Sequence, residues 1–367
     1  MSANICQSKT NPSFVLQQIE QISFEDRAIP VAGPDQVIVN IKATGICGSD
    51  VHYWVHGRIG HFVCQGPMVL GHESAGVIVA VGEGVTTLKV GDRVALEPGV
   101  PCRMCEMCKS GKYNLCPDMA FAATPPYDGT LCNFYKHAAD YCYKLPDQVS
   151  FEEAALIEPL SVGIHATRRG EVKLGDRVFI FGAGPVGLLT AAAAKAAGAA
   201  HVTMADISAS RLEFAKSYIA DQVIHLTNKK GESEDSNAFA FKEAQDILKR
   251  TGIQTCHVVF DCTGVEVCVQ MSIYLVKNNG KVVLVGMGAS VQSLSVADIS
   301  AREVDIRGVM RYCNTYPTAV EMLASGKVDL KSLITHRYKF NDALDAFKHV
   351  REGREGTIKV VITNDDV

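Results

Sequence analysis

The stretch Val178-Phe179-Ile180-Phe181-Gly182-Ala183-Gly184-Pro185-Val186-Gly187 decides the middle of this 367-residue chain. Four consecutive apolar residues read as a short strand buried on both faces. The glycines then keep a G-x-G-x-x-G spacing, and the alanine-rich residues 188–197 read as a closely packed helix. A second strand, Val202-Thr203-Met204-Ala205, ends at Asp206. Strand, glycine turn, helix, strand and terminal acid together form the fingerprint of a dinucleotide site. Gly182 and Gly184 allow a tight turn and close approach of a pyrophosphate, and Gly187 allows the helix to pack on the strand. The helix N-terminus at Pro185 and Val186 favours the phosphate charge. Asp206 suits hydrogen bonds from ribose hydroxyls and repels a 2′-phosphate, which favours NAD over NADP. Arg211, five positions on, is a cation that argues the other way.

Further β/α units follow this fingerprint. Val258-Val259-Phe260-Asp261 and Lys281-Val282-Val283-Leu284-Val285-Gly286-Met287 read as strands with their exits, and residues 304–312 resume strand character. The polar residues 228–237 read as a surface loop, and residues 316–324 and 341–350 as helices. The segment before the fingerprint has a different texture. Residues 14–43 and 69–98 carry short β-rich runs between Gly, Pro and Asp turns, the pattern of a compact, mostly β domain. From Ser150 the pattern turns helical, with Ser150 as N-cap and Glu153 as its capping-box partner.

Two clusters of metal-ligating residue types lie in the β-rich part. Cys102, Cys105, Cys108 and Cys116 follow a C-x2-C-x2-C-x7-C spacing. Four thiolates confined so closely suit a closed tetrahedral zinc site, in preference to an iron–sulfur cluster because no redox-partner motif accompanies them. Cys47, in Gly45-Ile46-Cys47-Gly48-Ser49-Asp50, and His72-Glu73, after Gly71, offer a thiolate, an imidazole and a carboxylate. That set suits a catalytic zinc with one open position, whereas a buried thiol and a core histidine are the plain alternative. Glu158, among Leu156, Ile157, Leu160 and Val162, is a carboxylate in an apolar setting and implies a nearby metal or donor.

Composition bounds these readings. The length calls for two domains. Hydrophobic residues at 47% and charged residues at 21% suit an ordinary globular protein. A net charge of −4 with no basic run gives no reason to bind nucleic acid or an anionic membrane. There is no apolar run long enough for a membrane span and no signal-like N-terminus, so a cytoplasmic location is expected. Thirteen cysteines then read as thiols and metal ligands, not a disulfide framework.

The order of Gly-His-Glu, the four-cysteine lobe and the glycine fingerprint resembles the zinc-containing, medium-chain alcohol dehydrogenases, and among them the polyol (sorbitol and xylitol) dehydrogenases. Ala122-Ala123-Thr124-Pro125-Pro126, Ile157-Glu158-Pro159-Leu160-Ser161-Val162-Gly163 and Arg311-Tyr312-Cys313-Asn314-Thr315 also carry the resemblance. It implies an α/β fold, with a GroES-like, mostly-β catalytic domain plus a Rossmann domain built on a doubly wound parallel sheet. The catalytic domain would comprise residues 1–160 and 302–367, with the structural zinc lobe at about 99–117; the Rossmann domain would be 161–301. It implies NAD and two Zn2+ per chain, one catalytic and one structural, and a homotetramer. Cys47, His72, Glu73 and Glu158 would surround the catalytic zinc, directly or through water. Which glutamate ligates directly is left open. Tyr53, Phe121, Thr124, Glu158, Arg311 and Tyr312 would line the polyol site, with Ser49 and His52 on a proton path to solvent or in structural roles. Val285, Gly286, Met287, Val309 and Arg311 would join Gly182, Gly184, Pro185, Val186, Gly187, Asp206 and Arg211 around the coenzyme. The expected reaction is reversible oxidation of a secondary hydroxyl of a polyol to a ketose. A non-catalytic NAD-binding protein and another polyol specificity, such as arabinitol, are the alternatives.

Overall fold

Strand Gln36–Gly45 alternates between two buried layers, and this alternation builds the first unit. Val37, Val39 and Ile41 pack with Ile78, Val94 and Leu96 on one face, while Ile38 packs with Val79 and Phe134 on the other. A strand sends successive side chains to opposite faces, so a two-sided core calls for the nearly continuous apolar run seen here. In the computed structural model, which describes residues 10–364, this strand lies inside a seven-stranded sheet. The sheet runs Cys142–Lys144, Arg93–Leu96, Glu73–Val81, Gln36–Gly45, Lys359–Thr363 and Ile334–Lys339, with Phe134–Ala138 paired to the first half of Gln36–Gly45. Its second half pairs with Lys359–Thr363, so that Gly45 sits opposite Glu73 on one side and Val361 on the other.

A second core in this unit lies between strand Asn11–Gln18 and helix Ala343–Glu352. Phe14, Trp54 and Phe347 meet there, with Phe347 ring centroids 5.0 Å from Phe14 and 6.2 Å from Trp54. The capping box expected at Ser150 is present: its hydroxyl accepts from the Glu153 N–H, at the start of helix Phe151–Ala155.

The second unit is a six-stranded sheet, parallel throughout, in the order Gln222–His225, His201–Asp206, Arg177–Phe181, Cys256–Asp261, Val276–Leu284, Asp305–Gly308. The first strand in sequence lies at the centre, the strand order of a doubly wound dinucleotide fold. Phe179, Phe181, Val259 and Phe260 are fully buried, as strands covered on both faces require. The units comprise residues up to Glu158 with those from Tyr316 on, and Pro159–Thr315. The return to the first unit therefore comes at 316, not at the expected 302. The reason is that Asp305–Gly308 pairs with Val276–Leu284 as the sixth strand of the parallel sheet. The other boundary falls inside helix Ile157–Gly170. Among the described residues, no helix is long and apolar enough to cross a membrane.

Trp54 is the chain's one tryptophan and touches Phe347, so its fluorescence reports the core of the first unit. Phe347 is fully buried, and Phe347→Ala removes a ring that the surroundings cannot replace. The expected loss is about 3–5 kcal/mol, read as a lower urea midpoint of the Trp54 signal with its slope unchanged.

Candidate metal centre and dinucleotide site

Three separate backbone features bring the first set of donors together. Cys47 is the N-cap of helix Gly48–His56. His72 follows Gly71, whose φ of 89° takes the chain out of the preceding strand. Glu73 opens strand Glu73–Val81. One ligand atom from each of Cys47, His72 and Glu73 lies within 4.8 Å of the other two. His72 and Glu73 are buried and Cys47 is half-buried.

Asp50, almost wholly buried, ties these pieces together. It accepts hydrogen bonds from the Cys47 N–H at 3.2 Å and the Gly71 N–H at 2.9 Å, and lies 3.4 Å from His72 Nδ1. Burial alone would lower the His72 pKa, but the Asp50 carboxylate reverses this and raises it well above its usual value. An acid on one ring nitrogen fixes the ring orientation and leaves the other nitrogen for a metal.

Glu73 has a cation of its own. Lys359 Nζ donates to Glu73 Oε1 at 2.6 Å and to the Ile46 carbonyl at 3.0 Å, and forms an ion pair with Oε2. Burial alone would lower the Lys359 pKa; the charges of Glu73 and Cys47 more than offset that and raise it. Glu73 Oε2 receives no directed hydrogen bond although it is buried. A soft thiolate, an imidazole and a carboxylate with spare lone-pair capacity fit a zinc ion with an open fourth position. Glu158, buried at the second residue of helix Ile157–Gly170, lies outside this 4.8 Å set. Its charge still bears on Lys359.

Several expected neighbours belong to the same unit. The Phe121 ring centroid is 5.8 Å from that of His72. Tyr53, Phe121 and Thr124 are buried, Ser49 is half-buried, and His52 is exposed with its ring against His56. Arg311 and Tyr312 belong to the second unit. Arg311 has a φ of 48°, and Asn314, three residues on, a φ of 53°. Such left-handed non-glycine residues cost energy and collect at functional segments.

The second donor cluster stands in a loop around the short helix Glu106–Lys109. One ligand atom from each of Cys102, Cys105, Cys108 and Cys116 lies within 4.8 Å of the others. Backbone N–H groups of Met104 and Cys105 point at Cys102 Sγ and pull its pKa down to about 7, whereas burial and the Cys105 thiol push Cys108 up to about 12. Four sulfurs so close cannot all be thiolates unless a cation joins them, and a tetrahedral zinc fits. Tyr113, between the third and fourth cysteines, donates to buried Glu97 at 2.6 Å; Tyr143 donates to the other Glu97 oxygen at 2.8 Å. This anchors the lobe to the sheet.

In the second unit the glycine turn has the geometry its spacing predicts. Gly182 has a φ of 95°. A Cβ on Gly187 would lie 1.9 Å from the Gly182 carbonyl oxygen, so only glycine lets helix Pro185–Ala196 approach the strand. A Cβ on Gly184 would meet nothing nearer than an Arg211 guanidinium nitrogen at 4.0 Å, which leaves space for a ligand. Asp206 accepts from the Ala183 N–H at 2.7 Å and the Ser208 N–H at 2.8 Å. Val285, Gly286 and Val309 follow the carboxyl ends of their strands, while Met287 is exposed. Ligands bind at the carboxyl ends of such sheets, and these residues fit a dinucleotide there.

Three further residues shape these sites with little or no signal in the sequence. Asp50 was visible as an acid three positions after an N-cap. Asp261 accepts from the Thr263 and Gly264 N–H groups and shapes the turn after the fourth strand of the sheet. Lys359 gave no signal, because its partner Glu73 is 286 positions away.

Known proteins agree with this architecture. Residues 33–147 match the alcohol dehydrogenase GroES-like domain and residues 185–325 the zinc-binding dehydrogenase model. A sorbitol dehydrogenase of Gallus gallus is 49% identical over 97% of each chain. A probable D-xylulose reductase A of Aspergillus clavatus is 50% identical over 94% of each chain. A solved oxidoreductase/dehydrogenase of unknown specificity from Escherichia coli superimposes with a TM-score of 0.87 at 38% identity, covering 97% of this chain and 100% of its own. With both halves matched by family models and half of its residues shared with full-length relatives, the chain belongs to the zinc-containing, medium-chain alcohol dehydrogenase family.

Proposed function

We propose that this chain is a zinc-dependent, NAD-linked polyol dehydrogenase, converting a secondary hydroxyl of a sugar alcohol such as sorbitol or xylitol to the ketone of a ketose, and back. The observation that carries this reading is the mixed donor set of Cys47, His72 and Glu73 within 4.8 Å. A carboxylate in place of a second thiolate makes a harder centre, suited to oxygen-rich substrates. Relatives named sorbitol dehydrogenase and D-xylulose reductase support the substrate class.

When bound, zinc supplies Lewis acidity to a substrate hydroxyl and NAD accepts hydride. The chain's own residues do the rest. Cys47, His72 and Glu73 hold the ion, and Asp50 holds the His72 ring in orientation. Phe121 packs its ring beside that of His72. Glu158 accepts hydrogen bonds from substrate hydroxyls and, through water, serves the metal. Tyr53, Thr124, Arg311 and Tyr312 donate to or pack against the polyol, and Ser49 and His52 pass the hydroxyl proton to solvent. The turn from Gly182 to Gly187 holds the pyrophosphate, Asp206 accepts from the adenosine ribose, and Arg211 stacks on the adenine. Val285, Gly286, Met287 and Val309 border the nicotinamide half. The four lobe cysteines hold a structural zinc. We place the enzyme in the cytosol as a homotetramer, supported by the family resemblance. None of the twelve described cysteines is in a disulfide, which suits a reducing compartment. Light scattering on the purified protein measures the assembly.

A kinetic panel of sorbitol, xylitol, L-iditol and arabinitol tests the reading directly; no NAD reduction with any of them overturns it. His72→Ala is expected to abolish turnover while NADH titration by fluorescence remains as in the wild type. Metal analysis is expected to give two zinc ions per wild-type chain and one in Cys105→Ser, with a lower melting temperature in that variant. Wild-type zinc content in Cys105→Ser refutes the lobe site. Asp206→Ser is expected to shift the kcat/KM ratio toward NADP by about 10- to 100-fold. An unchanged ratio means that Asp206 does not select the coenzyme.

A further inference from the structure

Lys359 is 3% exposed, an unusual position for a lysine. It stands on strand Lys359–Thr363, which follows the whole second unit in sequence yet pairs with the end of strand Gln36–Gly45 beside the Cys47 set. Its ammonium is held from two sides, by the Glu73 carboxylate and by the carbonyl of Ile46, the residue before Cys47. Gly45 makes the slot. A Cβ there would lie 2.1 Å from Glu73 Oε2 and 3.0 Å from Lys359 Cε, so the pair occupies the volume that a side chain at position 45 would need. Three strands thus converge on one ion pair, and one member of that pair belongs to the donor set.

A carboxylate shared between an ammonium and a metal gives less charge to the metal than a free one. We propose that Lys359 is a positioning residue of the metal centre, which fixes the Glu73 carboxylate and withholds part of its charge from the ion. The consequence is a metal that stays electrophilic despite the acids around it. Burial of Glu73 without the metal is also made tolerable, since an unpaired buried carboxylate is strongly unfavourable. Asp50 and Glu158 add negative charge in the same unit, and removing the Lys359 ammonium in contact with Glu73 leaves more of it for a dication. The inference rests on the proposed zinc site at Cys47, His72 and Glu73.

The test uses the full chain with cobalt in the Cys47 site and zinc left on the four cysteines. The readouts are the visible spectrum of the cobalt, the rate of its removal by a chelator and the melting temperature of the metal-free protein. Failure of wild-type chain to take cobalt at this site refutes the zinc reading itself. Given a loaded wild type, Lys359→Met is expected to change the spectrum, to slow metal removal by about tenfold through the lost repulsion, and to lower the metal-free melting temperature. Lys359→Arg, which keeps the charge, is expected to restore all three. An unchanged spectrum and removal rate in Lys359→Met, or faster removal, overturns the inference and leaves Lys359 a space-filling residue. If Lys359→Met does not fold, Lys359→Gln decides on the same readouts: it keeps a donor for the Ile46 carbonyl and removes the charge, and a wild-type spectrum and removal rate in that variant overturn the inference.

Discussion

A charge taken out of water needs an opposite charge close by, or it destabilises whatever holds it. The first unit is arranged around that constraint. Asp50 and Glu73 are each 1% exposed, and each has a partner fixed by backbone geometry. Asp50 faces His72 and two N–H groups; Glu73 faces Lys359. Both arrangements depend on the central strand Gln36–Gly45, whose end places Gly45 between the strand that begins with Glu73 and the strand that carries Lys359. The sheet is thus both the core and the alignment device for the donors.

The same physical logic takes a different form in the second unit, where the charge to be met belongs to a ligand. Parallel strands leave their carboxyl ends together, and the turns after them present backbone N–H groups and short acids at that edge. Asp206 and Asp261 are both buried there and both spend oxygens on turn N–H groups: Ala183 and Ser208 for one, Thr263 and Gly264 for the other. The acids therefore shape the edge as well as facing it. In the four-cysteine lobe, sequence proximity alone gathers the sulfurs, with Glu97 linking the loop to the sheet through two phenols.

What could be read from sequence was local. The glycine turn, the lobe and the Ser150 cap each lie within a few residues, where spacing and stereochemistry leave little choice. Glycine at 187 was legible because helix and strand are adjacent in sequence, and the 1.9 Å approach to the Gly182 carbonyl is what that glycine exists to permit. Donor type grouped Cys47 with His72 and Glu73, but spacing left a buried thiol and a core histidine as the plain alternative, and the family resemblance favoured the metal. The boundary at 302 was read too early because a strand pattern at 304–312 does not say which sheet it joins; pairing with Val276–Leu284 decides that. Lys359 was illegible for a related reason. A lysine on a short apolar strand reads as an edge or a surface residue, and only the antiparallel register of Val361 with Gly45 turns it inward to Glu73.

The interruption of the first unit has a consequence for how the protein is made. A ribosome releases Cys47, His72 and Glu73 early, then synthesises about 150 residues of the second unit before the strand with Lys359 exists. At typical elongation speeds that interval is on the order of 10–30 s. Throughout it, Glu73 has no ammonium to meet, and the central strand lacks a neighbour along its second half. The nascent half-unit is therefore a state with an exposed strand edge and an uncompensated acid, while the parallel sheet that follows has every strand it needs. Birth order runs opposite to sequence order: the domain begun second is finished first.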